Sequence, residues 1–225
     1  MNYNCNCPMT GVVSGLAVLA YLLGAIPNGF LIAKAKGIDI RKVGSGNIGA
    51  TNVYRSVSKT LGLLTFLLDA VKGAVPAILF PKLAAGCAAG VPPDWLPLLF
   101  GGMAIVGHTW PVYLKFKGGK GVATSAGALI AIAPAATGIG VLCWFAALVT
   151  TRYMSVASIV AALAVPAAGW WLNWNKGLAL PVALTVLGGL IIWRHKGNIQ
   201  RLLAGTENRF EFRKKNSESR SQKPG

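Results

Sequence analysis

The chain has 225 residues, of which 54% are hydrophobic and only 12% charged, about half the charged share of an ordinary soluble domain. Its 22 Lys and Arg against six Asp and Glu leave a net charge of +16, beside a mean hydropathy of +0.55. A nucleic-acid-binding protein can be this basic but is not also this apolar. Apolar segments in lipid with cations in the loops reconcile the two facts, so the composition predicts an all-α polytopic membrane protein with no nucleic-acid partner.

The first apolar run, 11–33, is long enough to cross ~30 Å of hydrocarbon. No basic residue precedes it, and Lys34, Lys36, Arg41 and Lys42 follow it, the reverse of the charge order in a secretory signal peptide. A retained first span followed by a cytoplasmic basic loop puts residues 1–10 outside as a short external N-terminus. Cys5 and Cys7 stand there as incidental terminal cysteines, and Cys87 and Cys143 fall in apolar runs as small hydrophobes. None of the four has metal-ligand spacing with His108 or His195.

Further apolar runs cover 60–80, 95–107, 122–149, 154–172 and 178–193. Six spans would put outside a tail that carries nine of the 22 cations from Arg194 onward, against the positive-inside rule. The fourth run contains Ala133-Pro134-Ala135-Ala136-Thr137-Gly138, a helix breaker followed by small residues. Splitting it there gives seven transmembrane helices, N-terminus outside and C-terminus cytoplasmic. That arrangement leaves 19 cations inside, Lys82 and Lys176 outside, and Lys72 within a span. The two halves are shorter than the ~20 residues an upright span needs, so two short spans or a re-entrant hairpin meet the same parity. Trp95, Trp170, Trp171 and Trp174 fall at outer ends and Trp110 and Trp193 at inner ends, as an aromatic belt. The integral membrane domain is 11–210; residues 211–225 form a basic tail whose polarity predicts disorder in the cytoplasm.

Three polar segments lie on the predicted cytoplasmic face: 44–55 (GSGNIGATNVYR), 107–124 (GHTWPVYLKFKGGKGVAT) and 195–209 (HKGNIQRLLAGTENR). The first contains G-x-G-x-x-G at Gly44, Gly46 and Gly49, but no strand precedes it, and Ala50 stands where a P-loop needs Lys. What remains is a glycine turn whose amides converge on an anion, with Ser45, Asn47, Thr51 and Asn52 as further donors; a flexible hinge is the competing reading. In the second, Lys117-Gly118-Gly119-Lys120-Gly121 directly precedes an apolar helix, whose N-terminus attracts phosphate. His108 borders that loop as a helix-end or packing residue. In the third, helical spacing brings His195 and Asn198 to one face, near Arg201 and Glu207. Asp69 and Lys72, at i and i+3 inside a span, read as a neutralising pair, or as part of the polar site if they lie near its cytoplasmic end. With six acids in the chain and no carboxylate cage, neither a metal nor another cofactor is expected, and phosphate recognition falls to Arg55, Lys120, amides and hydroxyls.

These three segments, in this order and together with LLDAVKG at 67–73, resemble the signature loops of the bacterial membrane acyl-phosphate:glycerol-3-phosphate acyltransferase family (PlsY). The likeness runs from about Tyr21 to Phe210. It implies seven transmembrane helices in the bacterial inner membrane, with the site at the cytoplasmic surface. It also implies transfer of a fatty acyl group from acyl phosphate to the 1-hydroxyl of sn-glycerol 3-phosphate, giving lysophosphatidic acid and phosphate, the first step of phospholipid synthesis. No cofactor and no protein partner are needed beyond the two substrates and membrane lipid. Carried over by resemblance, Ser45, Arg55, Lys120, His195 and Asn198 are catalytic. Gly44, Gly46, Asn47, Thr51, Asn52, Gly118, Gly119 and Gly121 bind substrate or phosphate, and Glu207 supports the third loop. Direct attack by the glycerol hydroxyl is expected, with His195 or a substrate phosphate as base; a covalent route through Ser45 lacks a His–carboxylate pair to activate it. A transporter of a phosphorylated metabolite is the alternative, though the chain shows no midplane polar cluster or repeat. A lipid-phosphate hydrolase is disfavoured by the scarcity of acids.

Overall fold

A computed structural model describes residues 9–88, 91–175 and 177–211. Residues 1–8 with Cys5 and Cys7, and the tail beyond Glu211, lie outside the described residues. Those described are all-helical: α1 Met9–Ala25, α2 Asn28–Lys34, α3 Ala50–Ser56, α4 Lys59–Ala84, α5 Trp95–Thr109, α6 Val122–Ile132, α7 Pro134–Thr151, α8 Met154–Asn173, α9 Ala179–Arg194 and α10 Lys196–Leu203. The stretches Gly11–Lys34, Lys59–Ala84, Pro134–Thr151 and Met154–Asn173 are long and apolar enough to cross a membrane. α6 and α9 are shorter apolar helices.

The first apolar run is not one smooth helix. Pro27 lacks the N–H that would continue α1, so the chain breaks at Ile26–Pro27 and restarts as α2. The carbonyl freed at Ile26 accepts from Lys72 Nζ at 2.7 Å and from the Asn28 amide at 3.1 Å. The fourth run breaks at Ala133, with φ −143° and ψ 65°, and Pro134 opens α7, where its missing N–H is an orphan in any case. α6 lies along α4 while α7 lies along α8, so the two halves diverge onto different partners.

Packing assigns the helices to two groups. α4 is flanked by α5 and α6, with α1 against α5, while α8 sits between α7 and α9. The α4–α6 seam is close because glycines remove Cβ atoms: a methyl at Gly73 would overlap the Thr124 carbonyl, and one at Gly127 the Ala70 carbonyl. Small residues drive helix association where lipid removes the hydrophobic gain. Ala20, Phe80, Leu96 and Phe100 fill the α1–α4–α5 core, and Leu129, Ala136, Ala168 and Leu184 join α6 to α7, α8 and α9. Large apolar side chains such as Leu63, Leu67 and Val71 on α4, and Leu142 and Phe145 on α7, face outward, as a lipid-covered surface requires.

Candidate active site

The glycine turn before α3 is held by one side chain. Asn52 is buried; its Nδ2 donates to the carbonyls of Ile40 at 3.1 Å, Val43 at 3.1 Å and Asn47 at 2.9 Å. Its Oδ1 accepts from the Ser45 amide at 3.0 Å and Ser56 Oγ at 3.3 Å. Gly44 and Gly46 take φ of +58° and +68°, left-handed values that glycine adopts at little cost, and a Cβ at Gly44 would overlap Asn52 Oδ1. Asn47 Oδ1 accepts from the Gly49 amide at 2.8 Å. A turn pinned this way is not a free hinge. It also leaves Asn52 no free donor, so this residue shapes the turn where the sequence suggested a substrate ligand.

The second turn is clamped from both sides. Arg194, the last residue of α9, donates through Nε and Nη2 to the Gly119 carbonyl at 3.2 and 2.9 Å, and through Nη2 to that of Gly118 at 3.0 Å. The Gly119 amide donates to the His108 carbonyl at 3.1 Å, so it is not free to hold an anion as the sequence suggested. Only glycine fits: a Cβ at 118 would overlap the His108 carbonyl oxygen, and one at 119 would overlap His108 Nε2. Gly121, at φ +81°, caps α6.

Lys120 projects from this turn to Asn198 Oδ1, and Asn198 Nδ2 donates to Glu207 Oε1 at 2.6 Å. The same Oε1 accepts from Ser155 Oγ of α8 at 2.9 Å, and Oε2 takes Arg201 Nε at 2.8 Å. Burial alone would raise the Glu207 carboxyl; the hydrogen bonds from Asn198, Ser155 and Arg201, with the Arg201 charge, hold it below its usual range. Glu207 therefore aligns the donors of Asn198, Ser155 and Arg201. Burial pushes Lys120 down to about 8; Glu207 opposes this, while Arg201, Arg194 and Arg55 add to it. His195 is buried, and its Nδ1 meets the Ile191 carbonyl at 2.8 Å. A carbonyl only accepts, so Nδ1 carries the proton and Nε2 keeps its lone pair. Burial, then the Lys120 charge, push its pKa to about 4, which leaves the ring neutral at physiological pH. Arg55 Nη2 donates to the Asn208 carbonyl at 3.1 Å, drawing the segment after α10 to α3.

All three polar segments open onto one cleft of about 730 Å³. Ser45, Asn47, Thr51, Asn52, Arg55, Lys120, His195, Asn198 and Glu207 border it. Gly44, Gly46, Gly118, Gly119 and Gly121 do not; they set the backbone behind it. Away from the cations the walls turn apolar, with Leu129, Val165, Leu184, Leu187 and Ile191 from α6, α8 and α9. The cleft suits a ligand with an anionic head and a hydrocarbon tail.

Residues 14–205 match the family model for glycerol-3-phosphate acyltransferase. The chain belongs to that family. A glycerol-3-phosphate acyltransferase of Rubrobacter xylanophilus is 44% identical over 198 residues, covering 87% of this chain and 94% of that protein. The crystal structure of PlsY, an integral membrane glycerol 3-phosphate acyltransferase, in its glycerol 3-phosphate form matches with a TM-score of 0.78 and 40% identity, over 88% of this chain and 96% of that one. Its lysophosphatidic acid form matches with a TM-score of 0.73 and 39% identity, over 88% and 95%. Family membership and the apolar helices make this chain an integral membrane protein.

Ser155 and Arg194 join the site without having been singled out in the sequence. Ser155 is one hydroxyl in the apolar run of α8, and Arg194 reads as a topogenic cation at a helix end. His108 and Asp69 also border the cleft, although the first reads as packing and the second as half of an ion pair.

Proposed function

We propose that this enzyme transfers a fatty acyl group from acyl phosphate to the 1-hydroxyl of sn-glycerol 3-phosphate, releasing lysophosphatidic acid and inorganic phosphate, as the first step of phospholipid synthesis. The observation that carries the reading is one cleft that joins a cationic end, lined by Arg55, Lys120 and Arg201 with Arg194 behind the second turn, to an apolar interior. Acyl phosphate has that amphipathic shape, and it is already activated, so the transfer needs no metal, nucleotide or protein partner. Among the described residues no three His, Cys, Asp or Glu side chains group as metal ligands.

Both substrates are anionic, and their mutual repulsion is the first barrier. Lys120 and Arg55 offset it and align the pair, so that positioning and charge neutralisation supply most of the rate. The glycerol hydroxyl attacks the acyl carbonyl carbon, the new C–O ester bond forms, and the bond from that carbon to the phosphate oxygen breaks. His195 Nε2 accepts a hydrogen bond from the incoming hydroxyl and orients it; a ring at about 4 is a weaker base than a substrate phosphate oxygen, pKa ~6, which takes the proton. Asn198 holds Lys120, Glu207 holds Asn198 and is braced in turn by Ser155, and Ser45, Asn47 and Thr51 supply polar contacts from the first segment. Asn52, Gly44, Gly46, Gly118, Gly119 and Gly121 give the two turns their shape.

Seven spans with the N-terminus outside and the C-terminus and cleft on the cytoplasmic side of the bacterial inner membrane complete the proposal. The 19 cations that this topology leaves inside support it. It lets glycerol 3-phosphate enter from water while the acyl tail lies among α6, α8 and α9. Purified protein in detergent, given acyl phosphate and labelled glycerol 3-phosphate, should form labelled lysophosphatidic acid. Uptake of the label into sealed proteoliposomes with no lipid product would replace the transferase with a transporter.

A further inference from the structure

Behind the Gly118–Gly121 turn lies a buried polar cluster that the transfer does not use. Asp69 Oδ1 pairs with Lys72 Nζ at 2.8 Å and accepts from Asn28 Nδ2 at 3.0 Å. Lys72 in turn donates to the Ile26 carbonyl at the Pro27 break. That arrangement already satisfies both charges, as an ion pair inside an apolar helix must be. Yet a third group faces it: His108 of α5, 5% exposed, holds Nδ1 at 3.8 Å from Asp69 Oδ1 and gives that nitrogen no hydrogen-bond partner. Leaving a buried nitrogen unmet is costly, and a plain ion pair has no use for it.

The other side of His108 explains its place. Its carbonyl takes the Gly119 amide, the same carbonyl excludes a side chain at Gly118, and its Nε2 edge excludes one at Gly119. Arg194 pulls on the carbonyls of both glycines. The turn is thus held between the Arg194 guanidinium and the His108 ring, and the ring faces Asp69. Asp69, His108 and Lys120 border the same cleft, and the ring packs directly against Gly119, the neighbour of Lys120.

We propose that His108, backed by Asp69, is a positioning residue of this site: the ring sets the height of the Gly118–Gly119 backbone and so the place of Lys120 against a substrate phosphate. Lys72 neutralises the carboxylate, which would otherwise repel the anion it helps to seat. The inference rests on the proposed transferase reading for which phosphate is held, but the mechanics concern phosphate binding alone.

The test uses full-length protein with His108→Gln, Asp69→Asn and the double variant, each measured for equilibrium binding of labelled glycerol 3-phosphate and of inorganic phosphate, for KM and kcat, and for thermal midpoint. Each single variant should weaken phosphate binding and raise KM about tenfold while kcat changes by less than about threefold. The double variant should be no worse than the weaker single, as two residues acting in one chain require. His108→Gln keeps an amide near the Nε2 position and should retain more binding than His108→Ala. If Asp69→Asn fails to fold, His108→Gln and His108→Ala carry the test alone. Unchanged binding in folded variants, additive losses, or activity that falls only with the folded fraction would overturn the proposal. Wild type that binds glycerol 3-phosphate without turnover would sink the transferase reading and leave the binding comparison decisive for this one.

Discussion

Lys120 stands where the electrostatics are easiest to read. Its ammonium meets Asn198 in the wall of the cleft, and burial lowers it from the ordinary 10.5 to about 8. A lowering of that size costs the charged form about 3 kcal/mol at ~1.4 kcal/mol per pH unit. The sign fixes the window: below about 8 the empty cleft presents an ammonium, and above it the proton leaves. Each further unit then removes about tenfold of the binding-competent form. Because kcat/KM reports ionisations of the free enzyme, it should be level near neutrality and fall through about pH 8. kcat should hold to higher pH, since a bound phosphate raises the lysine again. Lys120→Arg should remove the alkaline limb, because guanidinium does not deprotonate in this range. Glu207→Gln, which deletes the carboxylate that raises Lys120, should move the limb to lower pH. The measurement is a pH series of initial rates at low substrate. A wild-type kcat/KM still level at about pH 9.5, or a limb that persists in Lys120→Arg, would refute the assignment.

Asn52→Ala leaves the carbonyls of Ile40, Val43 and Asn47 without its amide and should cost about 2–4 kcal/mol, read as a lowered thermal midpoint. Gly118→Ala meets backbone at the His108 carbonyl, which cannot swing away, so kcat/KM should drop by about 100-fold. Arg194→Lys keeps the charge but not the three bonds to Gly118 and Gly119; it should raise KM nearly as much as Arg194→Met, and a lysine variant with wild-type KM would show that charge alone suffices.

Much of this was legible in the sequence because it follows from local rules. Pro134, followed by a run of small residues and Gly138, marks a helix start in the sequence, and the break at Ala133 falls there, whereas Pro76, Pro81 and Pro166 stay inside α4 and α8. Glycines flanked by polar residues mark backbone that must turn tightly, and Gly44, Gly46 and Gly121 all take positive φ. Three segments rich in such signals open onto one cleft. What the sequence hid depends on contacts between distant residues. Asn52 looks like a donor to a ligand until its neighbours are known; folding brings five polar groups onto it. Pro27 sits inside an apolar run that hydropathy alone joins into one helix, yet its break creates the carbonyl that Lys72 serves. Ser155 gives no periodic signal in α8, and its value appears only when Glu207 folds back from 52 residues away.

The proposed function requires direct transfer between two phosphate-bearing substrates held by one cationic turn-and-helix cradle. Rapid-quench measurement with labelled acyl phosphate, in excess chelator and with and without glycerol 3-phosphate, tests it most directly. The expected result is labelled lysophosphatidic acid and inorganic phosphate in equal amounts, with no label on protein when the acceptor is left out. Accumulation of acyl-protein without acceptor, or loss of transfer on chelation, would contradict it.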